Sequence, residues 1–208
     1  MNQMIWYVVV TEILWMSLGG RKLCRQISND VRGGNIAYNI NKPYSYIGYC
    51  LFSHLGSITV KAIMYTILGM LLGFVFLGSF PTLNILNILS VLVTGVLATI
   101  ISILLIVSIS LLSFFMEDSY PFYWLYSKVI LVLGTIFPIE YFPKMIQPIL
   151  SYSPIYVVSY GPAKLLIDFN LDILISVLTS QIITIIVVSI LLAIVYRRGV
   201  KKLNVNGG

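Results

Sequence analysis

Two ionisable side chains, Glu12 and Lys128, lie within otherwise apolar runs of this chain of 208 residues. A charged group in a membrane segment usually faces the interior of a helix bundle or a water-filled path. We therefore expect Glu12 and Lys128 to approach each other or to line one cavity. The alternative is that each lies near the lipid headgroups and extends its charge towards them.

Other candidate chemistry is sparse. His54 and Lys61 are seven residues apart, so they share one face of a helix. A single histidine without a second ligand is a weak metal or proton-relay signal, and an interfacial position is favoured for His54. The sequence has no GxxxxGK[ST] phosphate-binding loop, no HExxH, no GxSxG and no paired aspartates in its apolar runs. We therefore predict no catalytic residue and no metal or cofactor bound by this chain.

The composition defines the elements that must hold these residues. Hydrophobic residues make up 59% of the chain and charged residues only 10%, with a mean hydropathy of +0.97. Soluble domains carry about 25% charged residues, so this is an integral membrane protein. The apolar runs show no strict alternation of the barrel kind, and the spans are therefore helical. The predicted fold is one all-α transmembrane domain over residues 1–208, with five spans at about residues 1–18, 61–80, 87–113, 120–137 and 173–196.

Residues 46–60 leave two interpretations open. They are apolar but contain aromatic and polar side chains. This pattern fits either a helix lying at the membrane interface or the first turns of a long, tilted span.

The distribution of Lys and Arg predicts the orientation in the membrane. Residues 21–42 contain five basic residues and one acidic residue, and residues 197–202 contain four basic residues and no acid. Five spans place both segments on the cytoplasmic side, with a cytoplasmic C-terminus, and place "GSFPTLN" and residues 138–172 outside. The net charge of +6 then reflects topology, and no nucleic-acid partner is predicted. Met1 falls outside in this topology, so we expect one further N-terminal span.

Residues 19–46 form the predicted cytoplasmic loop, which begins with an amphipathic helix. At 100° per residue, one face carries Arg21, Arg25, Ser28 and Arg32, and another carries Leu23, Cys24, Ile27 and Val31. Gly33-Gly34 is predicted to end the helix, and Pro43 to fix a rigid exit. Two interpretations remain: an interfacial helix with its arginines on lipid phosphates, or a docking helix for a cytoplasmic partner.

Residues 138–170 are also unusual. Five prolines (Pro138, Pro143, Pro148, Pro154 and Pro162) break an apolar, tyrosine-rich segment, so it cannot form one straight spanning helix. Short helices that dip into the outer leaflet are predicted, because irregular backbone is tolerated there where protein buries it. The segment is then either an external loop on the membrane or a lid over a transport path.

Three segments in this order resemble the permease subunits of bacterial type-2 ATP-binding-cassette (ABC) exporters, in their six-span branch. They are "QMIWYVVVTEIL", "QISNDVRGGNIAYNINKPYSY" and "FYWLYSKVILVLGTIFPIEYFPKMIQPILSYSPIYVVSYGPAKLL". The resemblance implies six spans, a cytoplasmic coupling helix between the second and third, and external re-entrant helices between the fifth and sixth. The first span of the family has no counterpart in this chain.

The resemblance also implies roles and partners. The ATPase-coupling residues would be Arg21, Arg25, Ile27, Val31, Arg32, Gly33, Gly34 and Asn35. The external re-entrant region would include Pro138, Glu140, Pro143, Pro148, Tyr160 and Pro162. Two copies of a separate ABC ATPase would bind ATP and Mg, and a second permease, identical or a sister chain, would complete a path in the bacterial cell membrane near the first and fourth spans.

Two alternatives belong to other functional classes. An ion-coupled secondary transporter would use Glu12, Lys128 and His54. A membrane scaffold protein would have no transport activity. Transport that needs ATP rather than an ion gradient would separate the exporter from the first alternative.

Overall fold

A computed structural model describes residues 2–78, 84–137, 139–167 and 169–206, and every regular element in these ranges is helical. This confirms the predicted all-α class. Three helical stretches are long and apolar enough to cross a bilayer: Tyr46–Leu77, Ile85–Phe114 and Leu171–Lys202. They correspond to the second, third and fifth predicted spans.

The other two predicted spans are shorter helices. Helix α1 (Asn2–Ser17) has 16 residues, which at 1.5 Å per residue is about 24 Å, less than the ~30 Å hydrocarbon core. The helix that begins at Tyr120 is α-helical only to Val129 and continues as a π-helix over Ile130–Ile136. Five spans therefore stay a prediction.

The second predicted span begins much earlier than the expected residue 61. After α2 (Arg21–Arg32) and α3 (Asn35–Ile40), helix α4 runs without a break over Tyr46–Leu77. The side chain of Ser45 accepts a hydrogen bond from Gly48 N at 3.2 Å and caps its first turn. In this stretch, Cys50 and His54 are buried inside the protein, whereas Ser53, Ser57 and Thr59 are exposed. Residues 46–60 are thus the first turns of a long helix.

Helix α1 packs antiparallel against α4 across two glycines. A Cβ on Gly73 would lie 2.5 Å from the ring of Trp6, and one on Gly69 would lie 2.6 Å from Ile13 Cδ1. Gly69 and Gly73 form the G-x-x-x-G spacing that lets helices approach closely in membranes. This close contact fixes the position of the short helix α1 beside the long helix α4.

The remaining helices complete one bundle. Helix α5 (Ile85–Ser110) continues as a 3-10 turn over Leu111–Phe114 and packs along α9 (Leu171–Asn206). Helix α6 covers Tyr120–Val129. Between its π-helical extension and α9 lie a 3-10 turn (Ile139–Tyr141), α7 (Gln147–Ser151), a second π-helix (Tyr156–Tyr160) and α8 (Gly161–Ile167).

The two basic segments lie at the same end of this bundle. The guanidinium of Arg25 in α2 is 4.6 Å from the centre of the Tyr120 ring, and Lys202 Nζ in α9 is 5.6 Å from that of Phe115. The opposite end holds α8, since Asn87 Nδ2 near the start of α5 donates to Leu166 O at 3.1 Å. The centre of the predicted turn "GSFPTLN" falls in residues 79–83, outside the described residues.

Replacing Gly73 with Ala is expected to destabilise the protein. The added methyl group would overlap the Trp6 ring, and overpacking of this kind costs about 1–3 kcal/mol. Gly56→Ala in the same helix is the matched control, because a Cβ there meets nothing within 4 Å. Thermal unfolding of the detergent-solubilised protein measures both. Equal unfolding temperatures for the two variants would contradict the close α1–α4 contact.

Candidate functional site

One side of α2 is buried in the protein itself. Its inward side chains are Leu23, Cys24, Ile27, Ser28 and Val31. Ser28 was predicted on the basic face, but it lies on the buried one, because its hydroxyl pairs with Ser113. The apolar side of α2 is therefore occupied by the core of this chain and is not in contact with lipid.

A chain of hydroxyl groups fastens α2 to the connection between α5 and α6. Ser28 Oγ and Ser113 Oγ are 2.8 Å apart, and Ser113 Oγ donates to Ser119 Oγ at 2.8 Å. Cys24 Sγ lies 3.9 Å from Ser119 Oγ, and burial raises the pKa of its thiol, which keeps it neutral. All four groups are buried. These contacts connect α2 directly with residues 113–119.

A second connection joins the start of α2 to α6. Gly20 N donates to the hydroxyl of Tyr123 at 3.0 Å, and a Cβ on Gly20 would lie 2.4 Å from Ile106 Cδ1. Gly20 thus lets the backbone before α2 lie directly on α5. Since α2 touches both α5 and α6, its position is coupled to two of the predicted spans.

The outward face of α2 is basic. Arg21, Lys22, Arg25 and Arg32 are all exposed. Arg25 is held over the Tyr120 ring, while Arg32 makes no ion pair or hydrogen bond with the described residues. The predicted coupling residues Ile27 and Val31 are buried, so they hold α2 in place and cannot touch a partner directly.

The double glycine ends α2 as predicted. Gly33 N donates to Asn29 O at 2.8 Å, and Gly34 adopts the left-handed φ of 74° that redirects the chain. Asn35 then begins α3, which is anchored by the fully buried Ile36. Tyr46 Oη donates to Asp30 Oδ2 at 2.8 Å and ties the end of the loop back to α2.

The structure does not bring Glu12 and Lys128 into an ion pair. Lys128 lines a cavity of about 440 Å³ between α1, α4 and α6, whereas Glu12 lies one turn of α1 away from its lining. In the described ranges the ion pair present is Lys164–Glu140. His54 lines a different cavity of about 130 Å³, where its Nε2 is buried without a hydrogen-bond partner.

The proline-rich region divides into an exposed and a buried part. Pro143 and Pro148 are exposed, while Pro162 and Tyr160 are buried; Pro138 lies outside the described residues. The buried part packs against α1, α5 and the π-helical end of α6, where Ser159 Oγ donates to Gly134 O at 3.1 Å. This part belongs to the bundle core and is not a loop on the membrane surface.

Glu140 links the two parts. It accepts a hydrogen bond from Tyr160 Oη and pairs with Lys164 Nζ at 3.1 Å. Burial alone would raise the pKa of Glu140, but the contacts from Tyr160 and Lys164 outweigh it and hold this pKa below its usual range. The ring of Tyr160 also meets that of Tyr7 edge to face, with centroids 5.7 Å apart. Ionised Glu140 therefore helps to hold the region against α1.

Sequence reasoning missed the polar residues that organise the core. Gln181 is fully buried, and its Nε2 donates at 2.9 Å to both Thr94 O and Val157 O. Asn87 plays the same part at Leu166. The available signal was an amide side chain inside an apolar helix, where it needs a partner within the protein.

Comparison with known proteins adds one finding. A family model described as ABC-2 family transporter protein matches residues 1–207. No curated protein and no solved structure gives a significant match.

Glu140→Gln is expected to lower thermal stability at neutral pH by about 1 kcal/mol or less, since the carboxylate is half exposed. Because the pKa of Glu140 is lowered, its contribution is present at neutral pH and is lost as the pH falls below the usual carboxyl pKa of about 4.3. The difference between wild type and variant should therefore shrink in acid.

Unfolding temperatures across this pH range measure the effect. Glu117→Gln is the matched control, since Glu117 is an exposed glutamate outside the helices and without an ion pair in the described structure. A pH-independent effect of Glu140→Gln would refute the role given to its charge.

Proposed function

The chain belongs to the ABC-2 family of transporter proteins, and from this premise we propose that it is the membrane-spanning subunit of an ATP-driven exporter. Family members are transport-related membrane subunits that lack an ATPase site and normally work with an ATPase subunit. The proposal is that the ATPase docks on α2 and that its closure moves the spans.

The observation that carries this proposal is the two-sided character of α2. Its apolar side is filled by the core, so the helix does not need lipid for its burial. Its other side presents Arg21, Lys22, Arg25 and Arg32 outside the bundle. A rigidly held helix with a free basic face is suited to docking an acidic surface of a partner.

The contacts of α2 supply a route for force. Pressure on α2 would reach the end of α5 through Ser28 and Ser113, and the start of α6 through Gly20 and Tyr123. Close-packed helices move as units rather than deforming. A small shift of α2 would thus tilt α5 and α6 together and open or close the path.

The assembly and its orientation form the rest of the proposal. Two copies of the ATPase and a second permease, identical or a sister chain, would complete the transporter in the bacterial cell membrane. The two basic segments share one end of the bundle, which supports a cytoplasmic position for both α2 and the C-terminus.

The ion-coupled alternative finds no comparable support. Its three residues do not gather: Lys128 and His54 line different cavities, and Glu12 lines neither. An ion-coupling site needs its titratable groups within reach of one another.

Replacing both Arg25 and Arg32 with Glu is expected to reduce binding of the partner ATPase at least tenfold. The substitutions reverse two charges at the centre and end of the docking face and put like charges together. Copurification with the partner ATPase, coexpressed with this chain, measures the effect, with membrane insertion checked in parallel.

The single variant Arg32→Glu is tested as well, in case the double variant misfolds. Arg25 packs on Tyr120, whereas Arg32 has no partner in the described structure, so replacing Arg32 removes no contact. The matched control is Lys201→Glu with Lys202→Glu, which reverses the same charge at the same end of the bundle. Unchanged copurification of the Arg variants, or an equal loss in the control, would remove α2 as the docking site.

Ser113→Ala tests force transmission separately from docking. It removes the middle hydroxyl of the chain between α2 and Ser119 and leaves both neighbouring hydroxyls buried with fewer partners. We expect ATPase binding to persist while transport per ATP hydrolysed falls several-fold. Ser108→Ala is the control, since Ser108 Oγ donates only to Leu104 O within α5. Transport equal in the two variants would show that the hydroxyl chain does not carry the coupling.

A further inference from the structure

A cavity with a polar lining lies between α1, α4 and α6, at the end of the bundle that carries the basic segments. It has a volume of about 440 Å³ and opens to the surface. Its lining comes from elements far apart in sequence: Trp15 on α1, Arg21 on α2, Lys61 and Tyr65 on α4, and Trp124 and Lys128 on α6. Cavities of this size hold small ligands or lipid headgroups.

The charge of this cavity has one sign. Arg21, Lys61 and Lys128 all line it, and none of the described lining residues is acidic. In the part of the chain that the structure covers, none of these three cations is in an ion pair. Three cations brought together without a counter-charge repel each other, and an anion between them would relieve the repulsion.

The hydrogen-bonding capacity of the cations is largely unused. Lys61 Nζ makes one long contact, to Gly19 O at 3.4 Å, and Lys128 Nζ lies 5.8 Å from the centre of the Trp124 ring. An ammonium group has three donors, so both lysines can donate to a ligand oxygen. A phosphate group offers several such oxygens and is a preferred partner of Lys and Arg.

The rest of the lining is aromatic. Trp15, Tyr65 and Trp124 surround the cations, and Trp124 is half exposed on the outside of the bundle. Trp and Tyr concentrate where the apolar membrane meets the headgroups. The neighbouring surface of α4 is apolar and exposed at Met64 and Leu68, which suits an acyl chain that runs along it.

We propose that this cavity binds the phosphate headgroup of an anionic bilayer phospholipid. The cations hold the phosphate, the indole and phenol rings pack against the glycerol region, and the acyl chains lie along α4. Basic pockets between transmembrane helices on the cytoplasmic side commonly hold such headgroups. The site needs no ATPase, so it stands or falls separately from the function proposed above.

Quenching of tryptophan fluorescence tests this proposal directly. The chain has three tryptophans, of which Trp15 and Trp124 line the cavity and Trp6 lies against Gly73. The purified protein is placed in nanodiscs that contain phosphatidylglycerol with brominated chains in unlabelled phosphatidylcholine, or the reverse. Brominated phosphatidylglycerol is expected to quench at a mole fraction about fivefold lower than brominated phosphatidylcholine.

Variants locate the effect. Lys61→Gln with Lys128→Gln should abolish the preference, and Lys128→Gln alone should reduce it if the double variant does not fold. Lys201→Gln with Lys202→Gln removes the same charge at the same end, outside the cavity, and should leave the preference intact.

Three outcomes would overturn the proposal. Equal quenching by the two lipids would show that the cavity does not select anions. An equal loss in the Lys201 and Lys202 variant would assign the preference to general surface charge. Equal quenching combined with a change of tryptophan emission on addition of millimolar inorganic phosphate would show that the site takes a free anion and not a lipid.

Discussion

Polar groups inside a bilayer must find their partners within the protein, and the side chain of Gln181 shows how far this constraint shapes the bundle. Its amide nitrogen joins three segments, because it extends from α9 to Thr94 O in α5 and to Val157 O in the second π-helix. A backbone carbonyl left unpaired in lipid costs several kcal/mol. The donor that α9 supplies to Val157 O therefore stabilises the π-helix in its position deep in the bundle.

The same rule accounts for the other irregular segment. The π-helical end of α6 and the π-helix after Pro154 face each other, and Ser159 donates to Gly134 O while Thr11 donates to Thr135 O at 3.3 Å. Gly134 permits this approach, since a Cβ there would lie 2.6 Å from Ser159 Oγ. π-helical turns are uncommon and often mark functional sites. Here the π-helical turns lie where the proline-rich region packs into the bundle. The irregular backbone of these turns and its burial in the protein therefore depend on each other.

The sequence predicted what depends on local pattern. Helical phase gave the extent and buried face of α2, and the double glycine gave its end, because both rest on spacing within one short segment. Ser28 is the exception. A helical wheel assigns a serine to the polar face, but the hydroxyl of Ser28 is buried against Ser113, which is 85 residues away. The count of Lys and Arg likewise predicted that the two basic segments lie on the same side, since the distribution of these residues is a property of whole loops.

Contacts that depend on tertiary packing could not be predicted from the sequence. For residues 46–60, an interfacial helix and the first turns of a long span both stayed open, because the polar residues there have no local explanation. Cys50 and His54 are buried by tertiary packing and line one cavity with Leu23 and Gln26 of α2. Glu12 and Lys128 were expected together because each was unusual by itself. The structure instead groups Lys128 with Lys61 and Arg21, and no periodicity connects three residues on three helices.

Arg21 belongs both to the basic face of α2 and to the lining of the cavity of about 440 Å³ between α1, α4 and α6. An anion in the cavity would attract Arg21 and draw the first turn of α2 towards α1 and α6. A partner on the basic face would compete for the same guanidinium. By thermodynamic linkage each ligand must then weaken the other when both need Arg21 in different positions. The bilayer composition and the docked partner would in this way act on one helix, and Ser28, Ser113 and Tyr123 would pass its movement to the spans.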